Sequence, residues 1–174
     1  SWEIEILRYP GMGERIVTGT WPYDFKGFYG YRNFLMQTKD GELLARVNSI
    51  WVYMDLSHMR PARIPKEMQE IYQRQFEKPL DGDWGDRRFA VPEGGVRQEP
   101  VAVRKSHIDT NRHMNNSRYV LVAEEYLPEG FQTDRLRVEY KKAAVRGDLL
   151  VPVVTSEEDR VTVSLLDGSD APYA

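Results

Sequence analysis

The chain contains no cysteine among its 174 residues. That absence removes disulfides, thiolate metal sites and a cysteine nucleophile together. Histidine is scarce, with three copies, and no carboxylate–histidine spacing accompanies them, so neither a metal nor a cofactor is expected. No apolar run approaches the roughly 18 residues that a spanning helix needs. With 29% of residues charged, a membrane protein is not expected. No basic-then-apolar leader is visible, so the expected location is cytoplasmic. Neither sign of charge dominates: the formal net charge is −3. The basic residues form no long block, which makes nucleic acid an unexpected partner. What is present is 41% apolar residues, enough to bury the core of one ordinary domain or two small ones.

Two strand-rich stretches flank a connector. The expected organisation is a partial first unit over 1–56, a connector over 57–98 and a second unit over 99–174. Trp2-Glu3-Ile4-Glu5-Ile6 alternates apolar and polar, the period of a half-buried strand. Pro10-Gly11-Met12-Gly13 signals a turn. Glu14–Trp21 reads as a second strand, Gly27–Thr38 as a third, Lys39-Asp40-Gly41-Glu42 as a hairpin turn and Leu43–Asp55 as the returning strand. Lys66–Phe76 predicts a short helix with Met68, Ile71, Tyr72 and Phe76 on one face. Pro79–Gly95 reads as a linker lying over the surface. Beyond it, Val101–Val103 reads as a strand and Asn115-Asn116 opens a helix to about Tyr126. Leu136–Lys142, Asp148–Thr155 and Arg160–Leu166 are three further strands.

The two stretches repeat weakly. Trp2–Ile6 aligns with Leu136–Tyr140, and at the same spacing Gly13-Glu14 falls on Gly147-Asp148. After a short deletion Asp40-Gly41 falls on Asp167-Gly168. The second copy carries a strand and a helix, Val101–Tyr126, ahead of its sheet, with no counterpart before Trp2. A sheet with a bare apolar face is unstable alone, so a further segment is expected before Trp2 and a last strand after Ala174.

The densest polar cluster runs from His107 to Asn116, between a strand and a helix start. Asp109, Asn111 and His113 are spaced by two, which in an extended segment puts all three side chains on one side. A carboxylate, an amide and an imidazole on one face can hold and activate a water. The following helix start adds N–H donors and a positive dipole end, suited to an oxyanion. The same residue types also build ordinary turns and helix caps, and composition alone leaves that reading open.

The run Val103-Arg104-Lys105-Ser106-His107-Ile108-Asp109-Thr110-Asn111-Arg112-His113-Met114-Asn115-Asn116-Ser117-Arg118-Tyr119 resembles the active-site signature of acyl-acyl-carrier-protein (acyl-ACP) thioesterases, D-x-N-x-H-V-N-N-x-x-Y. Thr20-Trp21-Pro22, Tyr31-Arg32-Asn33-Phe34, and Ser49-Ile50-Trp51-Val52 through Asp55 to Arg60-Pro61-Ala62-Arg63-Ile64-Pro65 are similar to the family in the same order. A bacterial member related to the plant enzymes is the expectation. The resemblance implies an α+β fold of two tandem hot-dog units, each a curved antiparallel sheet wrapped on a central helix, with the first helix preceding Trp2. It implies hydrolysis of fatty acyl-ACP, with the fatty acyl-phosphopantetheine of the carrier protein as partner. It places the chemistry on Asp109, Asn111 and His113, with Asn115 and Asn116 as candidate substrate contacts. Where plant members carry Glu-Cys, this chain has Ala143 and Ala144. A cysteine mechanism is therefore closed to it, and water must be the nucleophile.

Trp21, Arg32 and Trp51 are further substrate-binding candidates, and Phe28, Tyr31 and Phe34 are candidates for lining an acyl tunnel. Sheet packing competes as an explanation for each, and Arg32 also fits a buried ion pair. Arg60, Arg63, Arg104, Lys105, Arg118, Lys141 and Lys142 are candidates to meet an acidic carrier protein. Rival readings are an acyl-CoA thioesterase or hydroxyacyl dehydratase, and a non-catalytic acyl-binding module. A homodimer remains open.

Overall fold

The computed structural model describes residues 1–85 and 92–174. In chain order its elements are β1 (Trp2–Ile6), β2 (Ile16–Lys26), β3 (Tyr29–Thr38), β4 (Leu43–Val52), β5 (Met54–Asp55), β6 (Arg60–Pro61), α1 (Lys66–Gln73), β7 (Val96–Arg97), β8 (Val101–Ala102), a 3₁₀ turn (Lys105–His107), α2 (Asn116–Glu124), β9 (Arg135–Val138), β10 (Leu149–Ser156) and β11 (Val161–Leu166). Two compact units result, Ser1–Arg87 with Thr133–Val138, and Arg88–Gln132 with Glu139–Ala174. Among the described residues no helix is long and apolar enough to cross a membrane.

The first unit is an antiparallel sheet in the order β2-β3-β4-β1-β9. Its hairpins close where glycine supplies the positive φ that such turns need. Gly27 (φ 67°) leads the two-residue loop joining Lys26 to its partner Tyr29, and Gly41 (φ 91°) closes the turn before β4. Strand β2 runs five residues beyond the expected end at Trp21, through Pro22 and a bulge before Asp24. A proline cannot donate to a ladder, yet β2 lies at the sheet edge, where one side of the strand has no ladder bonds to lose.

Cross-strand partners share a face, and the register separates two unlike faces. One carries Trp21, Asn33, Asn48, Arg46, Glu3 and Arg137. The other carries Trp2, Phe34, Arg32, Ser49 and Trp51, with Trp2 stacked on Phe34 at 4.9 Å and edge-on to Trp51 at 5.7 Å. Helix α1 stops at Gln73 rather than Phe76, and tighter turns carry the chain on. Tyr72 and Phe76 pack edge-on against Phe25 at 6.0 and 5.3 Å.

One expectation needs correction. The strand expected over Leu136–Lys142 in the second unit is β9, over Arg135–Val138, and it pairs with β1 in the first sheet, Trp2 opposite Val138 and Ile4 opposite Leu136. The two segments aligned by the repeat are thus neighbours in one sheet. The segment expected to lie over the surface is largely exposed between 79 and 85 and is tied there to the polar face. The Leu80 N–H donates to Asn33 Oδ1 at 2.9 Å, Trp21 Nε1 donates to the Lys78 carbonyl at 3.1 Å, and the Gly85 N–H donates to Glu3 at 3.1 Å. Arg46 donates to the Asp81 carbonyl, and Arg135 to both Glu3 and the Asp83 carbonyl. Residues 86–91 of that linker lie outside the described residues.

The second unit pairs β11 with β10, and β10 in turn with β7 and β8. Helix α2 and the segments on either side of it close on this sheet. The core is Val103, Met114, Tyr119, Ala144, Leu150, Leu165 and Tyr173, flanked by Val101, Ile108, Val122, Tyr140 and Val163. Gly13 and Gly147, matched in the repeat, both hold positive φ, 78° and 97°.

Candidate active site

The segment carrying Asp109, Asn111 and His113 is a tight hairpin, not an extended strand. Ile108 bridges Met114 antiparallel. Above that bridge the Asp109 N–H donates to the His113 carbonyl at 2.9 Å, and the Arg112 N–H donates to the Asp109 carbonyl at 3.1 Å. Arg112 adopts φ 65°. This is a three-residue loop with a left-handed residue before its closing position. Asp109 and His113 thus face each other across the closing pair, and cross-strand neighbours project to one side with Cβ atoms about 5 Å apart. The turn sets the backbones of Asp109 and His113 opposite each other, while Asn111 is carried to its exposed tip.

The same turn is built twice more among the described residues. Thr38–Glu42 has both hydrogen bonds, at 3.1 and 2.9 Å, and Gly41 in the left-handed position. Asp167–Ala171 has both, at 3.1 and 2.8 Å, with Asp170 at φ 64°. Asp167 Oδ1 accepts the Ser169 N–H at 2.8 Å, as Asp109 Oδ1 accepts the Asn111 N–H at 2.8 Å. One oxygen of Asp109 therefore does an ordinary turn-building job. The difference lies in the other oxygen. Asp167 Oδ2 is bonded by Lys142 at 3.0 Å, and the Ser169 hydroxyl and N–H on Oδ1, with Lys142 and the Ala171 N–H, hold its carboxyl well below the usual range. Asp109 has no cation paired with it among the described residues, and the residue across its turn is a histidine, where the other two turns have Glu42 and Ala171.

Asp109 is half-buried, whereas Asn111 and His113 are exposed. The base of the hairpin is firm: the Met114 N–H donates to the Ala144 carbonyl at 2.8 Å, and the Asn115 N–H to the His107 carbonyl at 2.9 Å. The Arg104 N–H also donates to His107 Nδ1 at 3.2 Å, which turns that imidazole into the turn's own scaffold. Helix α2 starts immediately beyond. Asn115 is its N-cap, accepting the Ser117 N–H at 3.0 Å and the Ser117 hydroxyl at 2.8 Å on Oδ1. Its acceptor is thus committed to the helix, and only its amide N–H₂ faces outward chemistry. The carbonyl of Asn116 accepts the Tyr140 hydroxyl at 3.0 Å. The positive end of α2 lies two residues past His113.

Ala143 and Ala144 stand beside this hairpin, because the Ala144 backbone bonds Met114. Ala144 is fully buried and Ala143 exposed. The other sequence candidates belong to the first unit and do not share a face. Trp21 lies on the polar face under the connector, whereas Arg32 and Trp51 lie on the opposite, aromatic face. Trp51 donates from Nε1 to Ser49 Oγ at 2.8 Å, and Arg32 to Thr20 Oγ1 at 3.1 Å. Arg32 has no carboxylate partner among the described residues, so the ion-pair expectation for it is corrected. Lys141 and Lys142 are paired with Glu139 and Asp167. Arg60, Arg63, Arg104, Lys105 and Arg118 carry no ion pair among the described residues. Tyr119, the last residue of the quoted signature, is buried in α2, and the turn-building reading of the cluster holds for one oxygen of Asp109. No group of three or more His, Asp or Glu able to hold a metal occurs among the described residues.

Residues 1–72 match the acyl-ACP thioesterase N-terminal domain and residues 93–167 the C-terminal domain of the same family. The chain belongs to the acyl-ACP thioesterase family. It is 28% identical over 166 residues to a chloroplastic acyl-acyl-carrier-protein hydrolase, FATB3, of Cuphea viscosissima, covering 91% of this chain and 40% of the relative. It is 25% identical over 181 residues to oleoyl-acyl carrier protein thioesterase 2 of Arabidopsis thaliana, covering 96% of this chain and 49% of the relative. The chain thus spans less than half the length of these two relatives. The fold of the family is equally clear in a 12:0-ACP thioesterase from Umbellularia californica, with TM-score 0.86 and 22% identity over 99% of this chain and 70% of that one. An acyl-ACP thioesterase from Bacteroides thetaiotaomicron superposes with TM-score 0.85 and 21% identity over 99% and 71%. The α+β architecture of antiparallel sheets is therefore that of the hot-dog thioesterases.

Proposed function

We propose that this protein hydrolyses the thioester of a fatty acyl chain carried on the phosphopantetheine of acyl carrier protein, releasing the free fatty acid. What supports the reading is the 109–113 hairpin: its backbone bonds set Asp109, with one carboxylate oxygen outside the turn, opposite His113, just ahead of the positive end of α2. A water held between them attacks the thioester carbonyl carbon. The carbon–sulfur bond breaks, the acid leaves with the water oxygen, and the departing thiolate takes a proton to become the carrier's thiol. Asp109 orients or deprotonates the water, and His113 polarises the carbonyl or protonates the thiolate. Asn111, at the tip, positions water or substrate. The backbone N–H groups that open α2 suit the oxyanion. With alanine at 143 and 144 no thiol nucleophile or second acid stands beside the hairpin, so these residues carry the hydrolysis.

The test is fatty-acid profiling of a host that expresses the full-length protein beside its His113→Ala and Asp109→Asn forms, with thiol release from acyl-ACP and acyl-CoA measured on each purified protein. Loss of at least 10²-fold in turnover for each variant is expected, the usual scale for removing a general acid or base. Near-normal hydrolysis by both would remove the hairpin from the chemistry. The pH profile of turnover separates the two role assignments: loss of the low-pH limb in Asp109→Asn makes Asp109 the base, and loss of the high-pH limb makes it the acid. A preference for acyl-CoA would overturn the substrate assignment.

A further inference from the structure

Helix α2 buries one side chain fully, Tyr119. A phenol taken into a core needs a partner for its oxygen. Here that oxygen accepts the Ala144 N–H at 2.8 Å. The carbonyl of the same residue accepts the Met114 N–H at 2.8 Å. Met114 directly follows His113 and closes the hairpin against Ile108. An unbroken line therefore runs from the core side of α2, through the backbone of Ala144, to the base of the hairpin. Ala144 is 0% exposed, and Met114 and Tyr119 are each 3% exposed, so water cannot replace either bond without opening the core.

We propose that Tyr119 is a positioning residue, fixing the Asp109–His113 pair through Ala144. The proposal rests on reading that hairpin as the thioesterase site. The hairpin has exposed residues at its tip, and of the two backbone bonds at its base only the one to Ala144 leads into the core. Without the phenol oxygen the Ala144 N–H is stranded in a dry interior. The chain at 143–145 then shifts to find an acceptor and takes Met114 with it. Catalytic geometry tolerates little of this: a displacement of about 1 Å costs on the order of 10²-fold in rate. Tyr140 supplies an internal control. Its ring packs edge-on to Tyr119 at 5.5 Å, yet its hydroxyl donates to the Asn116 carbonyl and not to the Ala144 segment.

The experiment compares Tyr119→Phe with Tyr140→Phe in the full chain, by amide hydrogen exchange and by steady-state hydrolysis of acyl-ACP. Tyr119→Phe is expected to speed exchange about tenfold at Ala144 and over 108–114 while β10 and β11 stay protected. Its kcat should fall at least tenfold with KM within twofold. Tyr140→Phe should leave both hairpin exchange and kcat close to wild type. Unchanged exchange at Met114 in Tyr119→Phe, or an equal kcat loss in Tyr140→Phe, overturns the proposal. So does normal turnover in Tyr119→Phe where Asp109→Asn is inactive. If the hairpin loosens and Asp109→Asn is itself fully active, the active-site reading fails while the structural link stands. Should Tyr119→Phe fail to fold, the wild-type protein decides: the Ala144 and Met114 amides must exchange at a common opening rate, and a tenfold disparity refutes the link.

Discussion

Asn33→Ala tests how the first unit is held together. Asn33 is fully buried in the middle of β3. Its amide donates to the Val47 carbonyl at 3.1 Å and, at a longer 3.4 Å, to Asn48 Oδ1. Its Oδ1 accepts the Leu80 N–H at 2.9 Å, the bond that pins the connector to the sheet. Two well-formed hydrogen bonds contribute about 1 kcal/mol each, and a part-buried N–H left without a partner adds about 1–2 kcal/mol. The expected loss is therefore about 3–4 kcal/mol. For a domain of this size that lowers Tm by about 5–15 °C. Thermal melting followed by far-UV circular dichroism measures it, and amide exchange localises it. Leu80 should lose protection first, before the β3–β4 ladder opens. Asn33→Asp separates the contributions. It keeps an acceptor for Leu80 but turns an oxygen towards the Val47 carbonyl and Asn48 Oδ1, so it should melt early with Leu80 still protected until the sheet opens. An Asn33→Ala protein melting within 2 °C of wild type, with Leu80 protection unchanged, would refute the reasoning.

Arg112 holds the left-handed position that Gly41 fills in the equivalent turn, at a cost of about 1 kcal/mol for a side-chain-bearing residue. Arg112→Gly should raise the free energy of unfolding by about 1 kcal/mol, read as a higher urea midpoint, and a lowered midpoint would show that the guanidinium makes a contact worth more than the strain. Tyr23 and Tyr140 are both pushed up to about 12, chiefly by burial, with Tyr31 and Asp24 adding to Tyr23 and Tyr119 to Tyr140. A raised folded-state value means the fold favours the protonated phenol. That stability is intact below the unfolded value of 10.0 and is lost as pH climbs from there towards 12. Phenolate absorbance should show these two among the last tyrosines to ionise, together with alkaline unfolding. Ionisation of both near 10 in the folded protein would contradict their burial.

Much of the fold was legible because its cues are local. Alternation set β1, glycine set the turn before β4, and Asn115-Asn116 set the start of α2, each through backbone preferences over a few residues. The polar cluster at 107–116 was visible for the same reason, and the family signature attached a chemistry to it. Other features were not legible because they depend on partners distant in sequence. Pro22 looked like a strand end, since nothing local reveals that β2 is an edge. Leu136–Lys142 looked like a strand of the second unit, but its partner is β1, more than a hundred residues earlier. Pro79–Gly95 read as a surface linker, and nothing in it showed its bonds to Asn33 and Glu3, buried polar groups on other strands. The sequence alone determined which residue types stand at the candidate site, and that no thiol can act there. Only the tertiary structure decided that β9 pairs with β1 and that Tyr119 reaches the hairpin through Ala144. Backbone hydrogen bonds between remote segments set those relations, and no local pattern encodes them.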